Sequence, residues 1–169
     1  MKIQDSYLKG AVLGASDGIV TTFAVVAGVV GAGFATEIII VLGIANMVAD
    51  GISMAIGDYL GERSISKMHH RTQQMVGKTS IITFLAFIVA GTLPLLPYIL
   101  MLFGASFSAD KQFLFSVVAT LGAMFVVGSL RTYVIKGSWF KNGLEMLFVG
   151  SIAAIVAYGL GAYIETLVR

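Results

Sequence analysis

AVLGASDGIVTTFAVVAGVVGAGF, residues 11–34, is followed after only Ala35 and Thr36 by EIIIVLGIANMVADGISMAIGDYL, residues 37–60. Each segment exceeds the roughly 20 mostly apolar residues that carry a helix across a bilayer core. A break of two residues leaves the second segment one option, to turn back as a tight antiparallel hairpin.

Outward from this pair, three more segments of the same kind are read at 79–104, 112–135 and 144–164. The third contains Pro94 and Pro97. A membrane helix either kinks or ends at such residues, and neighbouring helices must then satisfy the freed backbone. The expected fold class is therefore all-α, a polytopic membrane protein with a bundle of five transmembrane helices, forming one transmembrane domain over residues 1–169. Composition agrees: 57% of the 169 residues are hydrophobic and 12% charged, against about half and about a quarter in soluble domains. The mean hydropathy is +0.92. Twenty glycines suit helices that approach closely.

Several function classes are excluded or disfavoured at once. With no Cys there is neither a disulfide framework nor a zinc–thiolate site. A net charge of +2, scattered along the chain, does not suit nucleic acid. The mixed charges Lys2, Asp5 and Lys9, and the long apolar run behind them, do not resemble a cleaved signal peptide. No P-loop, GxSxG or HExxH pattern occurs, so no enzyme is expected.

Basic residues test the span count. With five spans, Lys2, Lys9, Arg63, Lys67, Arg71, Lys78, Arg131, Lys136 and Lys141 share one side, leaving Lys111 and Arg169 on the other. The positive-inside rule then places the N-terminus in the cytoplasm and the C-terminus outside.

An Asp at the centre of a membrane helix costs at least about 2.5–3.5 kcal/mol, so Asp17, Asp50 and Asp58 call for a reason. If the hairpin turns at 35–36, residue i of the first span lies level with about residue 71 − i of the second. Asp17 is then level with Met54, and Asp50 with Thr21, at about 20–28 Å from the turn. Met47, Asp50, Met54 and Asp58 share one helix face, with Asn46 at its edge. Carboxylate and amide oxygens beside thioethers form a mixed hard and soft set, suited to Fe²⁺ with Mn²⁺ close behind. Asp17 and Asp50 are the expected proton-coupling groups.

Plainer readings stand beside these. Asp17 is either inside a span or the N-cap of a helix starting at Gly18. Asp58, near a membrane surface, reads as interfacial, and methionines in apolar helices are usually packing. Glu62, Met68, His69, His70 and Met75 in the second connection either bind metal or belong to a solvated loop. Adjacent His residues on a helix face different ways, which favours the loop. Glycines at 10, 14 and 18, and at 57 and 61, recur every fourth residue and predict close helix contacts within or between subunits.

The residues themselves carry a resemblance. DGIVTTFAVVAG (residues 17–28), ADGISMAIGDYL (49–60), TLPLLPY (92–98) and the stretch 143–161 are similar to the vacuolar iron transporter family over nearly the whole chain. The resemblance implies five helices and a homodimer with the ion path between its subunits. It also implies export of Fe²⁺, often Mn²⁺ as well, from the cytosol in exchange for protons. Asp17 and Met54 correspond to residues lining that path. No resident cofactor is implied, the metal being cargo. Three positions depart from the classic vacuolar members. Asn46 stands where they have Glu, Gly10 where they often have an acid, and residues 61–78 hold one acid, Glu62, where they insert a Glu-rich cytosolic domain. The chain thus looks like a short, prokaryotic-type member, placed in a bacterial or archaeal cell membrane. A membrane assembly protein, its buried acids only fixing helix packing, is the competing function.

Overall fold

The computed structural model describes residues 3–69, 73–134 and 137–168. Five helices follow one another: α1 (Ile3–Gly31), α2 (Thr36–His69), α3 (Gln73–Leu102), α4 (Ala109–Leu130) and α5 (Trp139–Val168), with one 3-10 turn at Arg131–Tyr133 closing α4. Each is long and apolar enough to cross a membrane. No strand occurs among the described residues. The all-α five-helix class read from the sequence is the observed one. Boundaries differ at the polar ends: α5 starts at Trp139 rather than 144, because Lys141 and Asn142 fit a first turn outside the hydrocarbon.

The first connection is tight, as expected, but it lies earlier in the chain. α1 ends at Gly31, and Gly33 takes a left-handed φ of 64° that other residues rarely adopt, before α2 begins at Thr36. The turn is therefore centred between Gly33 and Phe34, not at 35–36.

Consecutive α1 and α2 are not each other's main partners. α3 packs more extensively against both than they pack against one another. Small residues explain why. A Cβ on Gly14 or Gly18 of α1 would overlap the carbonyl oxygens of Thr83 and Phe87 on α3. On α2, Gly51 admits the Phe84 ring, with a Cβ there meeting ring carbon Cε2 at 3.1 Å. Gly91 returns the favour from α3, lying against Thr22 Oγ1 and Met47 Sδ. With lipid as solvent, such shape matching replaces the hydrophobic effect as the reason helices associate. Ile19, Val26, Phe87 and Leu95 fill the centre of the bundle. The glycine repeat on α1 is thus used inside the chain, whereas Gly57 and Gly61 have nothing within 4 Å.

α3 continues as a helix past Pro94 and Pro97. Ser116 of α4 donates to the Pro94 carbonyl at 2.6 Å, tying α4 to the proline turn, while the carbonyls that lose a helical donor to the two prolines are those of Ala90 and Leu93. At the same end, buried Gln112 donates to the Phe107 carbonyl at 2.9 Å and accepts from Thr36 Oγ1 at 3.4 Å, tying α4 to the start of α2.

These approaches predict a contrast. Gly18→Ala should cost about 1–3 kcal/mol, because backbone cannot yield as a side chain can. Gly122→Ala on α4, where nothing lies within 4 Å, should be neutral or slightly stabilising. Thermal unfolding in detergent reads both, and equal midpoints would contradict the α1–α3 contact.

Candidate metal site on α1 and α2

α1 is helical on both sides of Asp17, which settles its place in the interior of a span rather than at an N-cap. With the turn centred between Gly33 and Phe34, residue i of α1 lies level with about residue 67 − i of α2. Asp17 is then level with Asp50 itself rather than with Met54. The two carboxylates are close enough to interact electrostatically.

Each has a local partner. Asn46 Nδ2 donates to Asp50 Oδ2 at 2.9 Å, one turn away on the same helix. Thr21 Oγ1 donates to Asp17 Oδ1 at 3.4 Å, again one turn along. Thr21 was not singled out as a partner, although its i+4 spacing from Asp17 was the available signal. Met54 is half-buried beside this row, as are Asn46 and Asp50, and Asp17 is exposed on the surface of the single chain.

Met47 stands apart from these four. It is only 7% exposed, its sulfur lies against Gly91, and Thr92 Oγ1 approaches that sulfur at 3.8 Å. Its side chain therefore belongs to the α2–α3 interface as the structure stands. Asp58 differs in another way. Ser80 and Thr83 of α3 donate to its Oδ2 at 3.2 and 3.3 Å. Hydrogen bonds from a neighbouring helix make Asp58 a tie between α2 and α3, in keeping with a role outside the ligand set. Gly10 closes over the same spot, since a Cβ there would lie 2.6 Å from Thr83 Oγ1. An acid at position 10 would have to displace that hydroxyl.

Met68, His69, His70 and Met75 lie outside the residues whose side chains are described; Glu62 follows Asp58 by one turn on α2. Among the described residues no three His, Asp or Glu side chains converge. One chain thus offers two carboxylates at a common level, with one amide a turn to one side on α2 and one thioether a turn to the other.

α2 also carries Ala45, Ala49, Ser53, Gly57 and Gly61 at every fourth position, all exposed, immediately beside the row of Asn46, Asp50 and Met54. Small side chains next to intramembrane carboxylates leave that flank accessible to another helix.

Fold and site together define a multi-pass helical membrane protein with paired acids at bilayer depth. The sequence profile of the VIT family matches residues 8–78 and 70–162. The chain belongs to the VIT family. It is 30% identical to vacuolar iron transporter homolog 1 of Arabidopsis thaliana over 168 residues, covering 95% of this chain and 84% of that one. It is 25% identical to the vacuolar iron transporter of Toxoplasma gondii over 228 aligned positions, covering 96% and 76%. With vacuolar iron transporter 1 of Eucalyptus grandis the identity is 21%, covering 94% and 87%. The alignment with the Toxoplasma protein is far longer than the 169 residues here, and the family match divides at 70–78. Both features agree with a missing insertion between α2 and α3.

Proposed function

We propose that this protein carries Fe²⁺, and Mn²⁺ as a second substrate, across the membrane and out of the cytosol in exchange for protons. The relatives' names support iron as cargo. The observation that carries the reading is that Asp17 and Asp50 stand level on α1 and α2, Asp17 exposed and Asp50 half-buried.

Acids that merely fix packing should be held by donors on neighbouring helices, as Asp58 is. The hydrogen bonds of Asp17 and Asp50 come from their own helices instead. They hold α1 to nothing and α2 to nothing. Their oxygens remain available to a ligand, which favours transport over the assembly reading.

Bare carboxylates cannot face lipid cheaply, so this flank calls for a cover. A second copy docking through the small-residue row of α2 supplies one. A twofold axis there would bring two Asp17–Asp50 pairs and two Met54 thioethers around one path, giving the four or more donors that a divalent ion takes. Asn46 orients Asp50, and Met47 supports α2 from behind. The end of the bundle bearing Lys9, Arg63, Lys78, Arg131 and Lys141 is the cytosolic one in this reading.

Purified protein in liposomes tests the function directly. Saturable uptake of Fe²⁺ and Mn²⁺ above empty liposomes is the expected result. No saturable uptake of any divalent metal, with the protein intact, would leave the assembly reading standing.

A further inference from the structure

At the basic end of the bundle, on the side away from the α2–α3 interface, a groove of about 310 Å³ opens between α1, the end of α4 and α5. That volume equals roughly ten water molecules, more than a single ion requires. Its walls are mostly apolar, from Val12 and Leu13 on α1, Val134 after α4, and Met146 on α5, with Ser16 of α1 the one uncharged polar side chain. Two cations stand on its rim, Lys9 from α1 and Arg131 from the 3-10 turn.

The charge on that rim is poorly compensated. Arg131 Nη1 lies 3.9 Å from Glu145 Oε1, at the limit of an ion pair, with the carboxylate side chain 59% exposed. Such a surface pair contributes little. Lys9 has no ion-pair partner among the residues whose side chains are described. Among the described side chains, two cations then face one carboxylate at the mouth of an apolar slot. In a membrane the molecule with matching chemistry is a phospholipid carrying net negative charge, since basic pockets between spanning helices hold anionic headgroups. Long Lys and Arg side chains reach the headgroup level while their stems line apolar surface.

We propose that this groove binds one anionic phospholipid, its phosphate between Lys9 and Arg131 and an acyl chain along Val12, Leu13, Val134 and Met146. The site is independent of the acids on α1 and α2 and of whether they carry metal. Arg131, at the C-terminal end of α4, is held there by the helix carbonyls that its own backbone N–H caps.

The chain has one tryptophan, Trp139, in the first turn of α5 at this same end and two turns before Met146. The full-length protein is reconstituted in bilayers containing phosphatidylglycerol or phosphatidylcholine with brominated acyl chains, and quenching of Trp139 is titrated. The anionic lipid should quench at lower mole fraction. Lys9→Gln and Arg131→Gln should each lower that preference about fivefold, as expected for one basic charge at the surface. Arg131→Lys should retain it, and Lys78→Gln, at the same end but outside the groove, should leave it unchanged. Equal quenching by the two lipids would overturn the site. So would an equal loss in Lys78→Gln, which means diffuse attraction, or quenching by neither lipid, the result if a second copy covers the groove.

Discussion

Asp17→Ala and Asp50→Ala are each expected to reduce metal uptake into liposomes by at least about tenfold. Even hydrogen-bond partners of metal ligands are worth 10–100-fold in affinity, and a direct carboxylate ligand should matter no less. The double variant should be little worse than either single one, because both carboxylates serve one ion and their effects are not additive. Met54→Leu should impair Fe²⁺ more than Mn²⁺, since the thioether matters more to the softer ion. Expression and oligomeric state should be unchanged, as neither Asp17 nor Asp50 is bonded to another helix. Asp58→Ala provides the opposite pattern. It loses two hydrogen bonds from α3 and should lower stability more than it changes metal preference. Normal transport in the Asp17, Asp50 and Met54 variants, measured on protein that elutes like the wild type, would remove the proposed site.

Apparent metal affinity should weaken as pH falls, by up to about tenfold per pH unit for each proton the metal displaces. The sign follows from competition: a carboxylate must be deprotonated to bind metal, so acid returns the proton and expels the ion. In the proposed exchange the acidic compartment lies on the far side of the membrane, and that competition would release cargo there. Deprotonation on the cytosolic side would restore affinity, so one set of carboxylates would suffice. Metal entering the liposome lumen should therefore leave the lumen more alkaline, as read by a trapped pH dye. Asp50→Asn keeps an oxygen that ligates weakly but carries no proton, and should uncouple or abolish the flux. Metal uptake without proton movement, and with pH dependence unaltered in Asp17→Asn and Asp50→Asn, would leave a passive channel in place of an exchanger.

The five spans were legible because a bilayer imposes a length and an apolar content that few other environments demand. The intramembrane acids were legible for the same reason, being costly wherever they lack a purpose. Periodicity put Asn46, Asp50 and Met54 along one stretch of α2 and kept Asp58 in line with them, but it did not distinguish their tasks. Asp50 and Asp58 have the same side chain and lie two turns apart. What separates them is the pair of hydroxyls on Ser80 and Thr83 beside one and not beside the other.

By itself, then, the sequence determined the number of helices, their order and the chemistry available at bilayer depth, because these follow from composition along a one-dimensional chain. Three things were decided only by the tertiary structure. The turn at Gly33 set which residues are level, pairing Asp17 with Asp50 where counting from 35–36 had paired it with Met54. The glycines of α1 and α2 drew α3 between them, which sent Met47 into an interface and spared Asp17. The ends of α4 and α5 brought Arg131 to Lys9, more than a hundred residues away in sequence. All three depend on where backbone can approach backbone, and close approach is a property of two surfaces together that neither helix encodes alone.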